Sequence, residues 1–161
     1  MTTATTLYET ELRIAAQPQT VFDCLTDPEL YLQWMGRSVS LEPRPGGLFR
    51  VDINGNDVAR GEYVILEPPS RLVWSWGWEG EGHPLPPGTS TVEITLRADG
   101  EATVLRMVHS GFVDADMAAS HGEGWGHFLP RLVALCEGRN PGPDEWATPQ
   151  ESVTSEAAGQ D

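Results

Sequence analysis

Hydrophobic and polar positions along the chain change their period three times, and each change marks a switch between strand and helix. Between Glu9 and Ala16, Leu12 and Ile14 alternate with polar neighbours, which predicts a first strand buried on one side. Pro18 then opens a helix that carries Val21, Phe22 and Leu25 at three-and-four spacing. Asp27-Pro28-Glu29 starts a second short helix, with Asp27 as N-cap, Pro28 at the first helical position and an acid at the positive end of the dipole. Leu30, Trp34 and Met35 form its inner stripe. From Ser38 to Ser110 the period is two, interrupted by Gly or Pro clusters about every ten residues, as in an antiparallel meander. Turns at 43–47, 54–57, 67–70 and 98–101 separate a short strand after Ser38 from strands over 48–53, 58–66, 71–79, 89–97 and 103–110. The stretch from Glu79 to Gly88, rich in Gly and Pro, reads as a longer surface loop.

The segment Arg-Leu-Val-Trp-Ser-Trp-Gly-Trp-Glu, residues 71–79, places Leu72, Trp74, Trp76 and Trp78 on one strand face and Val73, Ser75 and Gly77 on the other. Val92, Ile94 and Leu96 form a further apolar face, and Leu105, Met107 and His109 another. After Gly111 the period becomes helical. At about 100° per residue, Met117, His121, Gly124, Trp125, Phe128, Leu132 and Leu135 share one stripe, with Glu123, His127, Pro130, Ala134 and Glu137 opposite. Gly122, Gly124 and Gly126 each cost about 1 kcal/mol in a helix interior and Pro130 about 3 kcal/mol, so a kink is expected near 126–130. Gly138 stops the helix. Residues 1–138 therefore read as one domain, and 139–161, dominated by Pro, Gly, Ser, Thr, Ala and acids, as an acidic disordered tail in which Trp146 alone has reason to dock.

Composition narrows the functions. With 161 residues, one core can form without metal or disulfide staples. A net charge of -14, from 10 basic and 24 acidic residues, disfavours nucleic acid and anionic membrane surfaces as partners. The chain has no apolar run near 18 residues and opens with Met-Thr-Thr-Ala-Thr-Thr, so a soluble cytoplasmic protein is expected. Cys24 and Cys136 lie inside apolar helical patterns and read as two buried thiols. His121 and His127, six residues apart, diverge by about 120° on a helix, and no Cys or carboxylate set joins them, so neither metal nor cofactor is expected. A Gly-x-Ser-x-Gly elbow, a phosphate-binding loop and a cysteine among basic neighbours are all missing. Asp52 and Glu62 fall on the outward strand faces and are expected to meet solvent.

Several stretches, in order, resemble the activator of heat-shock protein 90 ATPase homologue family, stand-alone bacterial members included, within the START-like (SRPBCC) superfamily. They are Ile14-Ala15-Ala16-Gln17-Pro18-Gln19-Thr20-Val21-Phe22 with Leu25-Thr26-Asp27-Pro28, Arg44-Pro45-Gly46-Gly47-Leu48-Phe49, Gly61-Glu62-Tyr63, Pro68-Pro69-Ser70-Arg71-Leu72-Val73, and the late Trp125. The resemblance implies an α+β helix-grip fold, in which a curved antiparallel sheet of about seven strands wraps a long C-terminal helix around a cavity. Members of the superfamily bind lipids, hormones or polyketides, and some are cyclases; fold alone does not choose among these. Eukaryotic co-chaperone members carry a second domain for which this chain has no room.

On that architecture Trp34, Phe49, Trp74, Trp76, Trp78, Met107, His109, His121, Trp125 and Phe128 become candidate ligand-binding residues around an aromatic-lined cavity. Three functions compete. The first is non-catalytic binding of a small hydrophobic molecule. The second is a cyclase- or dehydratase-like enzyme with His109 or His121 as acid/base. The third is a protein-interaction module of co-chaperone type, with a homodimer or another protein as partner. They rank in that order, the first favoured by the aromatic row, the inward histidines and the absence of catalytic motifs.

Overall fold

The computed structural model describes residues 6–146. β1 (Leu7–Ile14) leads into α1 (Pro18–Thr26) and α2 (Pro28–Tyr31). Six strands follow: β2 (Ser38–Leu41), β3 (Leu48–Asp52), β4 (Val58–Glu67), β5 (Arg71–Trp76), β6 (Ser90–Asp99) and β7 (Ala102–Ser110). α3 (Ala115–Cys136) comes last. All neighbours in the seven-stranded sheet pair antiparallel, in the order β1-β7-β6-β5-β4-β3-β2, so the meander is completed by the first strand joining its far edge. This is the expected α+β helix-grip arrangement.

The two short helices separate at Asp27 for the expected reason. Its carboxylate accepts the N–H groups of Glu29 at 2.9 Å and Leu30 at 3.4 Å, capping α2 while α1 ends. α2 is shorter than its apolar stripe suggested and stops at Tyr31, which is fully buried. Trp34, just beyond it, is fixed in the core by an indole N–H bond to the Cys24 carbonyl at 3.0 Å. The thiol of Cys24 meets that of Cys136, so α1 packs against the last turn of α3 through two free, buried, hydrogen-bonded thiols. Ala134, assigned to the outer helix face by periodicity, is buried.

The inward faces follow the period-two pattern. Val92, Ile94, Leu105, Met107 and His109 are all fully buried. β5 departs from expectation by ending at Trp76, because Gly77 lies so close to the next loop that a Cβ there would sit 1.8 Å from the Pro86 carbonyl oxygen. Trp78 continues only as an isolated bridge to Ala59, and its N–H donates to the Leu85 carbonyl at 2.8 Å. Residues 79–88 are thus more than a surface loop: Leu85 is 1% exposed and belongs to the core.

α3 is helical from end to end, through Gly126 and Pro130. Both residues are exposed, so the ring and the freed carbonyl lie on the solvent side and Pro130 does not end the helix. Asp114 caps its start by accepting the Met117 N–H at 2.8 Å. A Schellman pair closes its end, Gly138 (φ 85°) donating to Leu135 and Arg139 to Ala134. Residues 139–146, assigned to the tail by composition, instead fold back on α3. The Arg131 guanidinium donates to the carbonyls of Gly142 at 2.9 Å, Pro141 at 3.2 Å and Pro143 at 3.3 Å, and to that of Trp34 at 3.0 Å. Residues 147–161, the rest of the expected tail, lie outside the described residues.

Two glycines separate close approach from open space. Gly77→Ala is expected to lower stability by about 1–3 kcal/mol through overpacking against backbone. Gly124→Ala, where a Cβ would meet nothing within 4 Å, is expected to raise it by up to about 1 kcal/mol through helix propensity. Urea unfolding of both variants checks this; equal effects of one sign would refute it.

Candidate ligand cavity

The sheet and α3 are joined by a chain of hydrogen bonds centred on His109. The indole N–H of Trp125 on α3 can only donate, so Nδ1 of His109 accepts it at 3.0 Å. Nε2 must then carry the proton and donate to Oγ of Ser90 at 3.0 Å, while the Ser90 hydroxyl donates to the Trp76 carbonyl at 2.8 Å. One neutral imidazole thereby connects α3 to β7, β6 and β5 with every polar atom in use. His109 is fully buried; burial, and second the nearby His121, pushes it from the ordinary 6.5 down to about 3.

His121 sits one layer outward. Its Nδ1 lies 2.9 Å from the Met117 carbonyl, which can only accept, so Nδ1 holds the proton and Nε2 accepts the Trp78 indole N–H at 2.9 Å. Burial lowers its pKa, partly offset by that carbonyl. The ring of Trp78 also stacks on His83, with centroids 6.0 Å apart, drawing the 79–88 loop over the strand end.

Between this strand end and α3 lies a cavity of about 630 Å³. Trp76, Trp78, His121, Trp125 and Phe128 line it, five of the residues expected around a ligand. Trp34, Phe49, Trp74, Met107 and His109 do not reach its wall. They form the packed layer behind it, where Phe49 meets Trp74 at 5.2 Å and Trp76 at 5.7 Å between centroids. Gly124 is on the wall with nothing within 4 Å of a would-be Cβ, so its missing side chain is part of the empty volume. Trp76 is 3% exposed, and its indole N–H has no hydrogen-bond partner among the described residues. The buried Trp74 N–H and Tyr63 hydroxyl share that condition, but neither residue lines the cavity.

Sequence reasoning missed the remaining wall. Ile53, Asn54 and Asp57 come from the β3–β4 turn, and His83 and Pro84 from the 79–88 loop. No periodicity reports where loops lie. Asp116 and Ser120, next to Met117 and His121 on α3, also reach it, and so does Glu123, which periodicity assigned to the opposite face: a long side chain at the helix edge extends to the rim. Trp146 arrives through the 139–146 strap. Its ring stacks on His127 with centroids 4.0 Å apart and planes 3° from parallel, while His127 Nε2 contacts Asp144 Oδ1 at 2.8 Å. Among the described residues no cluster of three or more His, Cys, Asp or Glu is arranged for a metal, and no helix is long and apolar enough to cross a membrane.

Residues 15–137 match the model of the family described as Activator of Hsp90 ATPase homolog 1-like protein. The chain belongs to this family. It is similar to an AHSA1-like protein from Rhizobium etli, 44% identical over 89% of both chains with a TM-score of 0.71. It is also similar to DynU16, from the dynemicin biosynthetic locus, at 28% identity over 86% of this chain and 50% of that one, TM-score 0.73. The Aha1 dimer from Colwellia psychrerythraea shares the fold, at 20% identity over 81% of this chain and 96% of that one, TM-score 0.71. No curated protein gives a significant match.

The His109 network has a pH signature. The unfolded chain takes up a proton near pH 6.5, whereas the folded chain refuses it until about 3, so stability present above 6.5 is lost as the pH falls. The expected loss is about 1.4 kcal/mol per pH unit per buried histidine below that point, with His121 acting in the same direction. Urea unfolding at pH 7.5, 6.0 and 5.0 measures it. His109→Gln is expected to be less stable at pH 7.5 with a flatter pH dependence, and an unchanged slope would contradict the neutral network.

Proposed function

We propose that this protein binds a flat, largely apolar small molecule in the cavity between the β5 end and α3, without acting on it covalently. The observation that carries this reading is a space of about 630 Å³ between the β5 end and α3 that Trp76, Trp78, Trp125 and Trp146 line and that the bare Gly124 leaves open. Trp76, Trp78, Trp125 and Trp146 line it with aromatic rings that suit a planar frame, and the absent side chain at Gly124 leaves room for it. The similarity to a protein of a biosynthetic locus supports a small-molecule ligand.

The hydrogen bonding argues for binding over turnover. A general acid/base needs a nitrogen free to reach the ligand, but His109 lies behind the wall with both nitrogens used inside the protein. His121 reaches the wall with Nδ1 and Nε2 committed to Met117 and Trp78.

Nile red, a flat neutral dye, probes the site directly. A saturable one-to-one fluorescence rise is expected, weakened at least tenfold by Gly124→Leu, which fills the gap without loss of folding. Trp76→Phe, which removes a buried N–H without a partner, should leave stability equal or higher and change binding by about twofold or less. Absence of saturable binding, or full binding by Gly124→Leu, would remove the proposal. Mass spectrometry of the natively purified protein then identifies the resident molecule.

A further inference from the structure

The mouth of the cavity carries charge that its aromatic wall does not require. Asp116 and Glu123 stand seven residues apart on one face of α3, both exposed and both on the rim, and Asp57 joins them from the β3–β4 turn. No Lys or Arg lines the cavity. Arg37 packs against Gly55 in the same turn but is not part of the wall. Neither Asp116 nor Glu123 forms an ion pair with another described residue. Asp116 has a local reason to be acidic, since it lies in the first turn of α3 near the positive dipole end. Glu123, in the middle of the helix, has none. The aromatic wall is independent of these acids: Trp76 and Trp78 come from the β5 end, Trp125 from α3 and Trp146 from the 139–146 strap.

We propose, resting on the binding function above, that the ligand carries a positive charge: a flat apolar frame bearing an ammonium group. Indole faces attract cations through the negative face of their ring quadrupole, and four tryptophans contribute to this wall. The rim carboxylates add attraction at the entrance, reinforced by the net charge of -14 over the whole chain. A carboxylate or phosphate ligand would meet the reverse. It would leave water for a space walled by electron-rich faces and rimmed by like charges, with no guanidinium or ammonium to pair with it.

Displacement of bound Nile red by three isosteric probes tests the charge preference separately from the cavity itself. Naphthylmethylammonium, neutral naphthalenemethanol and anionic naphthoate share the same ring. The ammonium is expected to displace the dye at about tenfold lower concentration than the alcohol, with the naphthoate weaker still. Asp116→Asn with Glu123→Gln should cut that advantage two- to fivefold and leave the alcohol unchanged, and added salt should narrow it. An ammonium no better than the alcohol, a naphthoate as good as the ammonium, or an advantage untouched by the double variant would overturn the proposal while dye binding upheld the cavity. Failure of the dye to bind would overturn both.

Discussion

The structure depends on one uncharged imidazole. His109 is placed by β7 among apolar side chains, where an ionised ring would have no solvation and no counter-charge. Neutrality gives it one donor and one acceptor, and each has a single partner of the complementary kind: Trp125 on α3, and Ser90 bonded onward to the Trp76 backbone. Each bond is directional, so the chain specifies the rotation of α3 over the sheet more sharply than apolar packing could. That rotation turns the Met117–His121–Gly124 stripe toward the strand end.

With the helix set this way, the cavity follows from two omissions. Gly124 has no side chain where the helix passes nearest the empty volume, and β5 ends at Gly77 so that the 79–88 loop can cross the strand end and cover it. Gly122, two residues earlier and on nearly the opposite side of the helix, serves another purpose: a Cβ there would stand 2.7 Å from the Tyr8 ring, so this glycine lets β1 approach the helix. The final wall is Trp146, held by the stack on His127 and by the Arg131 fork that fastens the strap beneath it. A substantial part of the pocket is therefore made of backbone that wraps around, rather than of the sheet and helix.

The legible part of the fold was the periodic part. Alternation located every strand to within a few residues, and the Asp27-Pro28 pair placed the break between the short helices, because capping is a local interaction between a side chain and the next two N–H groups. Site residues on periodic elements were legible too: Trp76, Trp78, His121, Trp125 and Phe128 all reach the cavity. The same strand and helix patterns also nominated Trp74, Met107 and His109, which belong to the layer behind. An inward face says that a residue is buried, but not whether the space before it is filled. The acids on the rim went unread because a charged residue beside an apolar stripe looks like any solvated helix edge.

Sequence by itself determined the element order, the inward faces and the strand that carries the aromatic row, since each follows from side-chain spacing and nearest-neighbour chemistry. Tertiary structure alone decided that both His109 nitrogens meet partners inside the protein, that Arg131 secures the strap, and that an opening remains beside Gly124. Those outcomes depend on which atoms meet across 19 residues of chain, as with Ser90 and His109, or across 97, as with Arg131 and Trp34. Periodicity carries no information about such meetings. Volume left empty is decided last, by how the bulky side chains of neighbouring elements fit together.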